Sequence, residues 1–232
     1  MLSTVMPCVN IGRVGTNRPA TDEHVMLDAA LDAFAEHGFE GTSVRDIARN
    51  LGVSHNLFPQ RFGSKDRLWR AAVDHGFAQV ARHIHIEVVR DDPFETLRNT
   101  IVAFVEATAR RPEVLRILNQ EAATPGPRLD YLYERHVEPA TVPVERNLEA
   151  LQQHGLARPI PRAGFYFLLT HAAAGPLALS PLSEKFGHRL SPDDPAALRE
   201  YALSIADLLI HGIAEPPPNR SALPTGREVL RT

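Results

Sequence analysis

Apolar residues recur at helical spacing along most of this chain, and the pattern reads as an all-α protein. Residues 1–20 carry Pro7, Gly12, Gly15 and Pro19 with no helical period, and they are expected to form a mobile arm. From Thr21 the pattern changes. Thr21 suits an N-cap, Asp22 and Glu23 suit the positive end of a helix, and Met26, Ala30 and Phe34 recur every fourth residue. This first helix is expected to end at His37 and Gly38, where glycine can take a left-handed cap.

A second helix starts at once. Ser43 with Asp46 three residues on resembles a capping box, and Val44, Ile47, Ala48 and Leu51 make one apolar stripe. Gly52 allows a tight turn, Ser54 offers a further N-cap, and a third short helix runs towards Phe62 before Gly63 stops it. Two short helices joined through a glycine turn define a helix-turn-helix.

Ser64 opens a longer helical stretch through Leu68, Trp69, Ala72 and Val73, expected to continue towards Val89. Asp92 and Pro93 cap a helix that should close before Arg111 and Pro112; further helices are expected over 112–122 and 127–154, the latter bent or broken near Pro139 and Pro143. The segment 161–175 is apolar nearly all round, which predicts a helix buried on more than one side. A loop rich in Pro and Gly follows. Over 195–211, Leu198, Tyr201 or Ala202, Ile205, Leu208 and Leu209 then form a coiled-coil-like stripe. Pro216, Pro217 and Pro218 end the folded part, and no internal repeat of solenoid period is present.

A chain of 232 residues can bury a substantial core, either as one large domain or as a small domain joined to a larger one. Its single Cys8 can form no internal disulfide, and a reducing cytoplasm fits that usage. No apolar run approaches the roughly 18 residues that span a bilayer, so neither a membrane span nor a signal peptide is expected. The formal net charge of −3 argues against a uniformly basic nucleic-acid binder. Any attraction to phosphate must be local. Between residues 42 and 70, Arg45, Arg49, Arg61, Lys65, Arg67 and Arg70 oppose only Asp46 and Asp66, and the excess is positive. A recognition helix beginning at Ser54 would present His55, Asn56, Leu57, Gln60 and Arg61 to a major groove, with Asn56 and Gln60 suited to adenine and Arg61 to guanine or phosphate. Thr42, Ser43 and Arg45 at the start of the second helix, and Lys65 at the start of the fourth, are candidates for holding phosphate.

The stretch GFEGTSVRDIARNLGVSHNLFPQRFGSKDRLW, residues 38–69, resembles the DNA-binding domain of the TetR-type repressors. The likeness rests on Phe34, Gly38-Phe39, Gly41-Thr42-Ser43, Asp46-Ile47-Ala48, Gly52-Val53-Ser54 and Phe62-Gly63-Ser64-Lys65. It is close over residues 24–70 and architectural thereafter. The resemblance implies an N-terminal three-helix DNA-binding domain over 21–66 and a C-terminal helical ligand-binding and dimerisation domain over 67–214, with the arm before and a tail over 215–232. It further implies a homodimer through helices near 161–175 and 195–211, a palindromic operator in double-stranded DNA, and a small-molecule effector that releases the repressor. One departure is Pro59, where the family usually carries an aromatic residue; its ring opposes the carbonyl of His55, so the recognition helix is expected to be kinked or shortened to about a turn. The alternative is a helical small-molecule-binding or interaction protein that keeps the helix-turn-helix only as packing.

Other constellations carry less. His83, His85 and Glu87 share a face only on a strand, whereas this stretch reads as helix, so no metal is expected there. His171 lies on the apolar 161–175 helix and is either a core histidine bonded to a carbonyl or a ligand contact. Phe104, Leu115, Leu118, Phe165, Phe167 and Leu168 could line a pocket or be solid core, and the resemblance favours a pocket. No phosphate loop, HExxH, GxSxG or plausible cysteine nucleophile is present, so neither catalysis nor a cofactor is expected.

Overall fold

A computed structural model describes residues 22–89, 92–187 and 189–215. The expected arm over 1–20, the Thr21 cap and the tail from residue 216 onward lie outside the described residues.

Side-chain caps set the starts of the long helices. Asp22 accepts from the N–H of His24 ahead of α1 (Glu23–Gly41), and Ser43 accepts from the N–H of Asp46 ahead of α2 (Val44–Asn50). After α3 (Leu57–Phe62), Ser64 accepts from the N–H of Arg67 ahead of α4 (Lys65–His83). Asp92 does the same for α5 (Pro93–Arg110), whose first residue is a proline that loses no intrahelical bond. The regular part of α1 ends at the expected glycine. Gly38 takes φ 69° and ψ 174°, a region open mainly to glycine, and a last turn then leads to Thr42.

The remaining elements are α6 (Pro112–Ala122), α7 (Pro127–Leu132), α8 (Glu138–Gln153), α9 (Arg162–Phe167), the short α10 (Gly175–Ala178) and α11 (Ser180–Lys185), and α12 (Pro195–Ile213). α1 packs chiefly on α4 and then on α6, and α5 packs on α12. Met26, Leu31 and Phe34 of α1 and Trp69 of α4 are fully buried, Phe58 of α3 joins them in one apolar cluster, and the cluster runs on without a break through α5, α6, α8, α9 and α12. Among the described residues there is no strand; an isolated bridge pairs Ala157 with Ala214.

Several expected elements change. α4 stops at His83 rather than near Val89. Residues 84–89 are non-helical, and Thr96 Oγ1 both accepts from the N–H of Val89 and donates to its carbonyl, while Asn99 donates to the carbonyl of Glu87. α5 thus supplies the partners that a continued helix would have supplied itself. The 127–154 helix is interrupted by a π-turn at Tyr133–Val137, where the N–H of Glu138 bonds to the carbonyl of Tyr133. That wider turn sits immediately before Pro139, which could not have continued the regular ladder. The 161–175 segment divides into α9 and a π-turn at Leu168–Ala173 and is not buried all round, since Phe167 and Leu168 are exposed. The Pro- and Gly-rich loop after it contains α10 and α11. On α12 the buried face is Leu198, Ala202, Ala206 and Ile213, and Leu208 of the expected stripe lies outside it.

Candidate nucleic-acid interface and ligand cavity

α2 buries Ile47 and Ala48, and α3 is anchored by Phe58, only 1% exposed, whose ring lies 6.0 Å from that of Phe62. The turn between them passes through Gly52. Fixing the apolar sides leaves a polar surface outward: Ser43, Arg45 and Arg49 on α2, and Ser54, His55, Asn56, Gln60 and Arg61 at α3, are all exposed. α3 begins at Leu57, three residues later than the Ser54 start. Ser54 instead caps a turn, accepting from the N–H of Asn56 through its hydroxyl and from the N–H of Leu57 through its carbonyl. Pro59 does not kink this helix. It lies at the third position, where its missing N–H is one of the donors a helix leaves unpaired anyway, and the carbonyl its ring would crowd belongs to His55, outside the helix.

The charge of this surface sorts into pairs and a remainder. Arg49 bonds Asp46 at 2.7 Å and Arg70 bonds Asp66 at 2.9 Å, which uses both acids. Arg45 and Arg67 have no partner among the described residues, Arg61 is 3.9 Å from Glu23, and Lys65 lies 4.7 Å over the Phe39 ring while donating to the carbonyl of Glu40. Arg45 and Arg67 therefore remain for an outside anion, while Arg61 and Lys65 are held only by these longer contacts. Two of the expected contact residues are placed against the protein rather than fully outward. Thr42 is buried, its hydroxyl lying 3.0 Å and 2.7 Å from the carbonyls of Ala33 and Gly38, so it ties off the end of α1. Leu57 is half-buried against the core, and its side chain serves packing.

α4 leads from this unit to an open-mouthed cavity of ≈ 410 Å³ lined mainly by α4, α5, α6, α8 and α9. Phe104, Leu115, Leu118 and Phe165 line it as expected; Phe167, Leu168 and His171 do not. The reason is the phase of α9 and its π-turn, which aims Phe165, Tyr166, Leu169 and Thr170 inward. His171 is exposed, with Nδ1 at 2.9 Å from Thr170 Oγ1 and its ring 5.3 Å from Phe167, so it is neither a core histidine nor a cavity residue. Sequence reasoning missed Phe77, Val80 and Ile84, which continue the apolar stripe of α4 from Val73, and also His136 and Tyr166.

His136 stacks on Phe77 at 4.2 Å and places Nε2 2.8 Å from Asp74 of α4, which also accepts from the Tyr131 hydroxyl. Burial lowers the His136 pKa against the opposing pull of Asp74; burial and the same carboxylate push the Tyr131 phenol up to about 12. A second polar knot joins α1 to α4. Asp28 accepts from Gln79 at 2.9 Å and Arg111 at 2.7 Å and lies 3.0 Å from His75 Nε2. Burial alone would raise the Asp28 pKa, but these partners outweigh it and hold the carboxyl below its ordinary value. His83 closes α4, bonding the carbonyl of Gln79, while His85 and Glu87 stand in the extended segment rather than on a helix. No group of three or more ligating side chains is gathered among the described residues. No helix among them is long and apolar enough to cross a membrane.

A helix-turn-helix within an otherwise helical chain defines an all-α protein. Residues 26–72 match the family profile for bacterial regulatory proteins of the tetR family. The HTH-type transcriptional repressor Rv3405c of Mycobacterium tuberculosis is 41% identical over a stretch covering 33% of this chain and 46% of that protein. The chain thus matches about half the length of that relative. The HTH-type transcriptional repressor NicS of Pseudomonas putida is 25% identical over 81% of this chain and 90% of its own length. Among solved structures, the ketosteroid transcriptional regulator KstR2 of Mycobacterium tuberculosis superposes with a TM-score of 0.60 at 20% identity, covering 85% of this chain and 97% of that one. The TetR family transcriptional regulator PfmR from Thermus thermophilus gives a TM-score of 0.61 at 20% identity, over 82% and 96%. These structural likenesses bear on the fold.

Proposed function

We propose that this chain is a homodimeric transcriptional repressor whose α2–α3 unit, in the domain over 21–66, binds a palindromic operator, and which a small, largely apolar molecule in the domain over 67–214 releases. The observation that carries the reading is the outward surface of Ser43, Arg45, His55, Asn56, Gln60 and Arg61 on two helices anchored by Ile47, Ala48 and Phe58. It offers cations for phosphate and amide and guanidinium groups for base edges on one unit. Rv3405c and NicS are repressors by name, and the same role is assigned here. Dimerisation is supported by Phe167, Leu168 and Leu208, apolar residues of the α9 region and α12 that a lone chain leaves in water. Two-fold pairing places the recognition helices ~34–36 Å apart or a multiple of that. Release is supported by the position of α4, which starts beside α3 at Lys65 and lines the cavity with Phe77 and Val80. A ligand preferring one placement of α4 shifts operator affinity by its differential affinity, ~1–3 kcal/mol in ordinary cases.

Selection of bound fragments from random DNA, followed by titration of the recovered site at several salt concentrations, tests the reading. The expected result is a palindromic site whose affinity falls as salt rises. Arg45→Ala and Arg61→Ala should each weaken binding and flatten the salt slope by about 1 while leaving the dimer intact. Binding without sequence preference would reduce the helix-turn-helix to packing and favour the small-molecule-binding alternative.

A further inference from the structure

The polar groups of the cavity differ in what they have left to offer. Two formally charged side chains, Glu145 and Arg162, stand at its edge, and they are spent on each other at 2.5 Å, with Arg162 reaching Thr141 as well. An entering carboxylate would have to take Arg162 from Glu145, whose side chain is only 21% exposed; an entering cation would strand Arg162 instead. Three lining hydroxyls are also committed. Thr100 donates to the carbonyl of Thr96, Thr141 to that of Glu138 and Thr170 to that of Tyr166. His136 turns Nε2 to Asp74 and its ring face to Phe77, and its Nδ1 has no hydrogen-bond partner among the described residues.

Two hydroxyls remain. Tyr166 and Thr108 both line the cavity, and neither side chain has a hydrogen-bond partner among the described residues. Thr108 is 4% exposed, and every described side-chain N or O atom shut off from open space has a partner. Both residues stand in the wall of the cavity, Thr108 buried and Tyr166 half-buried. The rest of the wall is hydrocarbon, with Phe77, Phe104, Leu115 and Phe165 among it.

We propose that the ligand is a neutral, chiefly hydrocarbon molecule carrying a carbonyl oxygen, of the long-chain ketone or ester class, held by the hydroxyls of Tyr166 and Thr108. A carbonyl oxygen accepts from both kinds of donor without bringing a donor of its own that would need a buried acceptor. The alkyl remainder fills the apolar wall, where burial supplies most of the affinity. The assignment rests on the reading of this cavity as the effector site, but its test does not involve DNA.

Calorimetric titration of the full chain with methyl nonyl ketone, undecane and undecanoate is the test. The ketone is expected to bind more tightly than either of the others. Tyr166→Phe and Thr108→Val keep the shape of the wall and remove one donor each; each should weaken the ketone roughly 3- to 10-fold and leave undecane unchanged. Undecanoate binding more tightly than the ketone overturns the proposal, as does a failure of the ketone to bind. Ketone affinity unchanged in both variants also overturns it. Loss of operator preference in the DNA experiment would sink the regulator reading and leave this result standing, and a ketone that fails to bind would leave the regulator reading standing.

Discussion

Thr42 shows how a side chain can sit in a helix-turn-helix motif and do structural work. Its hydroxyl spans the kink at Gly38, between the carbonyls of Ala33 and Gly38, inside a shell that leaves it 4% exposed. Thr42→Val keeps the shape and removes the donor, leaving a carbonyl unpaired; stability is expected to fall by about 1–3 kcal/mol in urea denaturation. Operator affinity of the folded fraction should hold. His136 makes a pH-dependent contribution. Its folded pKa lies below that of the unfolded chain because burial disfavours the imidazolium, despite the facing Asp74, while Arg135 adds to the lowering. The unfolded chain then binds the proton more readily. Stability is full above about pH 6.5 and falls as pH drops through the window beneath it. Urea midpoints measured at about pH 7.5 and 5.5 should separate more for the wild type than for His136→Gln. The depressed Asp28 carboxyl acts in a lower window, below the ordinary carboxylate range, so the two contributions are distinguishable.

At the scale of elements, α4 is the piece on which the arrangement depends. A Cβ built on Gly76 would stand 2.8 Å from both Leu31 Cδ2 of α1 and Val114 Cγ2 of α6. Leu31 is fully buried and Val114 is branched at Cβ, so neither yields easily. Gly76→Ala should therefore destabilise by about 1–3 kcal/mol despite the better helix propensity of alanine. An unchanged melting temperature would show that α1 and α6 can part without loss. The caps at Ser43 and Ser64 were legible from residue type and spacing, because an N-cap is a local hydrogen bond. The end of α4 was not. Residues 84–89 give up helix for bonds to Thr96 and Asn99 on another element, and no local pattern encodes that exchange.

For the whole molecule, the exposed apolar residues on the α9 region and α12 carry the expectation of a dimer. Leu208 is 66% exposed and Phe167 55% in the single chain. Leu208→Glu puts a charge on that face without touching the buried side of α12. Analytical ultracentrifugation should then show monomers, with operator affinity lower by roughly tenfold or more because the second half-site is no longer tethered. A dimer of undiminished stability would move the interface elsewhere.

The chain by itself determined what short-range physics determines. Helical periodicity, caps and glycine turns placed α1, α2, α5 and α6 closely, and the local excess of cations over 42–70 marked the surface proposed to meet DNA. Tertiary structure decided which members of each set face where. It turned Thr42 inward, set Phe167, Leu168 and His171 outside the cavity by the phase of a π-turn, and left Tyr166 and Thr108 in its wall without hydrogen-bond partners among the described residues. A periodic apolar stripe states that a face will be covered. What covers it, and which polar atoms are left over when it is, depends on residues far along the chain.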